Sequence, residues 1–369
     1  MILQSLSVMN YRNLEQANLE FSPNVNCFVG ANGMGKSNVL DAIYYLSFCR
    51  GFSDAHDAVN LRHDADFFML EGMYESEVGA HLRVLCSLKQ GSRKHLKVDD
   101  KDVKKLSGHV GLIPLVMIAP TDSALVTGGS EERRKFLDSA IVQYDASYLE
   151  ALIRYDRALK QRNVLLRSEE EPDPGLLDVL EDIMNEAGGV IYQRRKEFVE
   201  EFRAGFHEMY RKISGRDFEQ AELIYESHGS RGPLKEQFRA FREKERIVGY
   251  TLHGVHRDDL LITLQGFPVK REASQGQQKT FFIALKLALF IFLKTKGERR
   301  VPLLLLDDIF DKLDSSRVAH IVDYVSGEEF GQIFITDTTR EHLDQILAAT
   351  HKDYRLFGVE NGVVNQLEI

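Results

Sequence analysis

The chain has 369 residues, 43% of them hydrophobic, with 47 Lys and Arg against 56 Asp and Glu and a formal net charge of −9. That length suggests about two or three domains, and the acidic balance argues against a generally basic nucleic-acid binder but not against a local basic surface. No signal peptide and no run of about eighteen apolar residues is present, so a cytoplasmic location without a membrane partner is expected.

In chain order, residues 1–29 read as three short strands: Leu3 to Met9, Ala17 to Phe21, and Val25 to Val29. Arg12-Asn13 lies between the first two. Gly30-Ala31-Asn32-Gly33-Met34-Gly35-Lys36-Ser37 then matches G-x-x-x-x-G-K-[ST] at every fixed position. Val39, Leu40, Ile43 and Leu46 follow at helical spacing. Strand, glycine loop and helix in this order aim backbone N–H groups and a helix N-terminus at phosphate. Gly30 through Asn38 are therefore candidates to hold ATP, with Lys36 reaching the β- and γ-phosphates and Ser37 on Mg²⁺. The alternative is a glycine-rich turn that binds nothing.

Cys49 to Ser53 reads as a loop. Phe68 to Tyr74, His81 to Leu88 and His95 to Val98 read as strands, with Asp99-Asp100 as a turn. They form a small β region expected on one flank of the nucleotide site. Leu112 to Ala119 is another strand, ended by Pro120-Thr121-Asp122. Cys27, Cys49 and Cys86 lack metal-ligand spacing and an even count, so they read as buried, reduced thiols.

The composition shifts near Gly129 toward Glu, Arg, Leu and Tyr. Leu149, Leu152 and Leu159, then Ile191, Phe198, Phe202, Phe206, Met209 and Ile213, recur at helical spacing. Pro and Gly between Glu169 and Gly175 break the pattern. Two long helices folded back on each other are expected, the second extending roughly 50 Å and weakened at Gly188-Gly189. Arg154, Arg157, Lys160, Arg162 and Arg167 on the first, and Arg194, Arg195 and Lys196 on the second, are candidates for phosphate contact. The alternative is a solvated face paired with Glu.

From Thr251 β-patterning returns, with Leu260 to Leu264 before a Gln265-Gly266 turn. Ser274-Gln275-Gly276-Gln277-Gln278 precedes an apolar helix from Thr280. Such a loop is either an anion site or an ordinary helix cap. Val301 to Leu306 is an apolar run ending in Asp307-Asp308. A strand buried on both faces reads this way, and acids at its C-terminal end lie where α/β sheets bind ligands. Asp307 is expected to hold Mg²⁺ and Asp308 to polarise the attacking water; a core strand with a solvated acidic end is the alternative. Gln332 to Thr336 is a further strand. Tyr354 to Val359 and Val363 to Ile369 pair across Asn361-Gly362. The expected division is 1–128, 129–250 and 251–369.

Ser274, Gly276 and Gln277 match the S-x-G-Q signature that ABC-type ATPases carry before their acidic strand, and the sequence resembles that family. The resemblance implies an α/β fold: an ABC-type P-loop ATPase head with an inserted α-helical arm domain. It also implies a signature that contacts nucleotide on the opposite head, hence an ATP-dependent homodimer. Asn10-Tyr11-Arg12-Asn13, Glu132 to Asp138, Leu159 to Asn163 and Gly254 to Asp259 narrow the resemblance to the RecF family of the SMC-like group. This implies ATP and Mg²⁺ as cofactors, Lys36 and Asp308 as catalytic residues, and weak DNA-stimulated ATP hydrolysis. It implies binding to duplex DNA and to gaps or single-strand/duplex junctions. It implies action with RecR and RecO in loading RecA, and a part in the SOS response.

The sequence departs from the family pattern at Val255, where Pro is usual, and at Asp311 to Asp314. Asp337-Thr338 stands where transporters carry a switch histidine, and Asp308 where they carry Glu. The ATP-binding subunit of a membrane transporter is the alternative function, with a small-molecule kinase behind it.

Overall fold

The computed structural model describes the chain except residues 53–55, 77–78, 217–218, 298–299, 311–314, 328, 341–352 and 369. Strands β1 (Ile2–Tyr11), β2 (Leu14–Glu20) and β3 (Val25–Val29) lead to helix α1 (Lys36–Phe48). Next come β4 (Phe67–Glu75), β5 (His81–Lys89), β6 (His95–Val98), β7 (Lys101–Asp102) and β8 (Leu115–Ile118). Helices α2 (Ala124–Thr127), α3 (Ser130–Ile141), α4 (Ala146–Arg167) and α5 (Pro174–Ser214) follow. Then come β9 (Ala221–Glu226), α6 (Leu234–Val248), β10 (Asp259–Leu264), β11 (Phe267–Pro268), α7 (Val269–Glu272) and α8 (Gln275–Lys296). The last elements are β12 (Leu303–Asp307), α9 (Ser315–Ser326), β13 (Ile333–Asp337), β14 (Tyr354–Glu360) and β15 (Val363–Gln366).

These elements form two compact units: Met1–Ser123 with Glu208–Arg216 and Ser274–Ile369, and Ala124–His207 with Asp217–Ala273. In the first unit, one sheet runs β2-β1-β4-β5-β6-β7, all antiparallel. The other runs β15-β14-β3-β13-β12-β8 and is parallel except for β15. Every residue of β12 and β13 is buried, which is why the leucine run is continuous rather than alternating. Tyr45 of α1 meets Tyr11 and Phe68 of the antiparallel sheet edge-on, while Phe21, Phe28, Phe334 and Phe357 fill the core beside β3. Such aromatic contacts add about 0.5–1.5 kcal/mol each beyond burial. Cys27, Cys49 and Cys86 are buried free thiols, as expected.

Helix α8 is long and apolar enough to cross a membrane, yet it is a core helix, buried from Thr280 to Phe290. Lys286 in its middle donates to the Met117 carbonyl at 3.0 Å and pairs with Asp122 at 2.8 Å. A buried cation is tolerated only with such partners.

The second unit holds α2 to α7, with α5 only as far as His207, and the sheet β11-β10-β9. Helix α5 has 41 residues, about 60 Å at 1.5 Å per residue. It runs straight through Gly188-Gly189, where the sequence predicts a weak point. A Cβ on Gly188 would lie 2.6 Å from Leu234 and 3.2 Å from Tyr155. Close packing against α4 and α6 outweighs the intrinsic cost of glycine, about 1 kcal/mol. Helix α6 and strand β9 go beyond what the sequence pattern predicts. Because β10 pairs with β9, the unit runs on to Ala273.

Two of the candidate cations of this unit turn inward. Arg195 is buried and pairs with Asp138 and Asp258 at 2.9 Å, while donating to the Val255 carbonyl. Arg162, fully buried, pairs with Glu181 at 2.9 Å and Glu245 at 2.7 Å and donates to Thr251. These two are therefore not phosphate contacts. Arg154 pairs with Glu186, Lys160 with Asp156, and Arg194 with Asp145 and Glu197.

Candidate functional site

The site forms where the parallel strands end. Strand β3 delivers the chain to Gly30, and α1 begins at Lys36. Gly30 is tight against β14: a Cβ there would lie 2.3 Å from the Val359 carbonyl oxygen. Gly35 has φ +114°, in the left-handed region that disfavours a side chain. Ala31, Asn32, Gly33 and Ser37 are exposed, whereas Lys36 is only 3% exposed. Its ammonium donates to the carbonyls of Gly30 at 2.8 Å and Ala31 at 3.1 Å, inside the curve of the loop.

Strand β13 lies between β3 and β12, and its C-terminal residues close the site. The Ser37 hydroxyl donates to Asp307 Oδ1 at 2.8 Å, and Thr336 donates to the same oxygen at 2.7 Å. The Asp308 N–H donates to Thr336 Oγ1 at 3.0 Å. Asp308 has φ 45°, a conformation that Asp tolerates better than most residues. Burial pushes the Asp307 carboxyl above its ordinary range, against the hydrogen bonds from Thr336 and Ser37 and the nearby Lys36 charge.

The loop is held from outside by two turns. Asn13, in the β1–β2 turn, donates to the Met34 carbonyl at 3.1 Å and accepts from Asn38 at 2.7 Å. The Gly362 N–H, in the β14–β15 turn, donates to the same carbonyl at 2.9 Å. The missing Cβ of Gly35 is what admits the Asn13 amide, whose oxygen lies 2.7 Å from where that carbon would be. Behind the turn, Arg12 pairs with Asp41 of α1 at 2.9 Å.

The structure thus brings together Lys36, Ser37, Asn38 and Asp307, with Asp308 adjacent. Ser274, exposed, caps α8, and the half-buried Gly276 and Gln277 lie in its first turn. The Ser274 hydroxyl accepts from the Gln277 N–H, and the Gln277 side chain accepts from the Ser274 N–H, a complete capping box. Asp311 to Asp314 lie outside the described residues. Asn13, part of a motif that carries the family resemblance, and Thr336, the end of a predicted strand, join the site without having been read as site residues. Thr336 carried one signal, a polar residue closing an apolar strand.

A family model described as the RecF/RecN/SMC N-terminal domain matches residues 2–365. The DNA replication and repair protein RecF of Phocaeicola vulgatus is 52% identical over 366 residues, 99% of this chain and 98% of its own. That of Parabacteroides distasonis is 48% identical over 368 residues, all of both chains. The chain belongs to the RecF family. A solved structure of the recombination mediator protein RecF with ATP, in the RecFOR pathway, matches with a TM-score of 0.88 and 28% identity, covering 100% of this chain and 98% of that one. An Smc head domain from Pyrococcus furiosus, 16% identical with a TM-score of 0.59, shares the fold. The fold is therefore the ABC ATPase head of the RecF and SMC type. RecF kinship sets aside the transporter reading, and β13 ends in Asp337, which accepts from the Thr339 N–H at 2.9 Å, where a transporter would place its switch histidine.

Proposed function

We propose that the chain is an ATP-dependent DNA-binding protein of replication and recombinational repair, working as a homodimer. The observation that carries this is the convergence of Lys36, Ser37 and Asp307 at the ends of parallel strands. The residues fit a magnesium nucleotide. Ser37 and Asp307 offer the hard oxygen ligands that Mg²⁺ prefers, and the buried Asp307 carboxyl gains from a cation beside it. Lys36 and the loop N–H groups of Gly30 to Asn38 would hold the phosphates. Bound ATP would supply the charge that joins two heads and the bond whose hydrolysis parts them. Asp308 would orient water, and its short side chain predicts slow turnover.

Ser274, Gly276 and Gln277 would meet nucleotide held by the partner head. The capping box uses the Ser274 hydroxyl and the Gln277 N–H, so the N–H groups of Gln275 and Gly276 at the start of α8 would make that contact. The first unit would serve as the ATPase head and the second as the arm. RecF kinship extends the proposal to a cytoplasmic role with RecR and RecO in loading RecA, and to the SOS response.

The experiment is fluorescence anisotropy with gapped, duplex and single-stranded DNA. ATP with Mg²⁺ is expected to tighten binding to duplex or gapped DNA about tenfold, near 1.4 kcal/mol. Equal affinity with and without ATP would contradict the proposal. The turn that holds the loop gives a second prediction. Asn13→Ala removes two hydrogen bonds to residues 34 and 38 and is expected to weaken ATP binding about tenfold. Titration with a fluorescent ATP analogue checks this, and an unchanged melting temperature excludes global unfolding.

A further inference from the structure

The space that a side chain on Gly276 would fill is already occupied. Arg317, the third residue of α9, takes it: a Cβ on Gly276 would lie 3.5 Å from the Arg317 guanidinium carbon and closer still to one of its terminal nitrogens. With covalent bonds of about 1.5 Å at tetrahedral angles, the guanidinium carbon is within about 6 Å of the Gly276 nitrogen. Both residues are half-buried and belong to the first unit. Helix α9 thus delivers a permanent cation to the turn whose amides face the partner's nucleotide in the reading above.

The charges around this turn favour an anion. The first turn of α8 holds no acid, and Lys279 is the charged residue that follows it. Helix α9 opens with Ser315-Ser316-Arg317, again with no acid in its first turn. A helix N-terminus carries roughly half a positive charge, so a guanidinium set against one is unfavourable by itself and favourable once a phosphate joins the two. The capping box leaves the Gln275 and Gly276 amides, both neutral donors. A terminal phosphate carried out of water between two heads needs charge as well as donors. Arginine stems also pack against bare backbone, so a spacer that only shapes the turn is the competing role.

We propose that Arg317 contacts the terminal phosphate of the nucleotide held by the partner head, so that ATP and not ADP joins two copies of the chain. The proposal rests on the shared-nucleotide reading above and adds the residue that makes it specific. Without the terminal phosphate, closure leaves the guanidinium and the two amides facing no acceptor, and a site with stranded donors rejects the shorter ligand.

The test is sedimentation velocity of the full chain with Mg²⁺ and either ATP or ADP. Arg317→Met keeps an unbranched stem and removes the charge, whereas Arg317→Lys keeps the charge. The melting temperature is the fold control. The unaltered chain is expected to dimerise with ATP and not with ADP. Arg317→Met should dimerise at least about tenfold more weakly with ATP, and Arg317→Lys should fall between the two. Mixing then places the residue. Arg317→Met with Lys36→Ala leaves one composite site that has both an intact phosphate loop and an intact α8–α9 face, so this mixture should dimerise. Arg317→Met with Ser274→Arg, both damaged on that face, should not. An Arg317→Met chain that dimerises as the unaltered chain does would overturn the proposal. Equal losses in Arg317→Met and Arg317→Lys would also overturn it and leave Arg317 as a spacer. A Lys36→Ala mixture that stays monomeric would place the effect of Arg317 within its own head, again against the proposal. If the unaltered chain itself fails to dimerise with ATP, the shared-nucleotide reading falls and takes this one with it.

Discussion

Lys36→Ala is expected to weaken ATP binding about 100-fold, near 2.7 kcal/mol. Hydrogen bonds to charged groups contribute about 1.5–3 kcal/mol, and a buried ammonium facing phosphate lies at the upper end of that range. Lys36 is only 3% exposed and its two present partners are carbonyls of its own loop. The substitution therefore also loosens the loop. A titration with a fluorescent ATP analogue separates the effects when paired with a melting curve: the melt should move by a few degrees, the affinity by two orders of magnitude. Lys36→Arg should recover little. The planar guanidinium is wider than the ammonium and cannot occupy the narrow curve between Gly30 and Ala31. Full ATP affinity in Lys36→Ala would remove the phosphate loop from the mechanism.

The second large effect is on stability. Arg195→Met should destabilise the helical unit by about 3–5 kcal/mol, because it strands a buried carboxylate without its partner. The Asp258 side chain is fully buried and Asp138 partly so, and Arg195 joins them to Tyr148 and the Val255 carbonyl. Burial alone would lower the Arg195 pKa, but the surrounding Asp138, Tyr148, Tyr225 and Asp258 raise it well above its ordinary value, so it remains a cation. Arg195→Lys should rescue poorly, since one ammonium cannot reproduce a fork that reaches four acceptors. Urea denaturation followed by circular dichroism measures the loss. A change under about 1 kcal/mol would mean that the network is solvated in the working protein.

This network also shows where the sequence stopped being readable. The phosphate loop was legible because its chemistry depends on spacing within one short stretch. The acid-ended strand was legible because burial on both faces leaves an unbroken apolar run. Arg162 and Arg195 looked like surface cations because their partners are far along the chain: Glu181 and Glu245 for one, Asp138 and Asp258 for the other. Helix α6 is highly charged and short on apolar positions, so its buried Leu234 and Phe238 were too few to announce it. Asn13 stood in a quoted motif, but its grip on Met34 and Asn38 depends on where the β1–β2 turn lands. Thr336 and Gly362 likewise act through neighbours brought by sheet order, and sheet order is not written in any local pattern.

The most direct test of the central claim is a mixing experiment. If nucleotide is held between the phosphate loop of one chain and the α8 start of another, Lys36→Ala and Ser274→Arg chains should each fail to dimerise with ATP. Mixed together, they leave one composite site intact, with Lys36 from the Ser274→Arg chain and Ser274 from the Lys36→Ala chain. Sedimentation velocity of the mixture with ATP and Mg²⁺ should then show a dimer that neither variant forms alone. A mixture that stays monomeric, while the unaltered chain dimerises under the same conditions, would contradict the shared site.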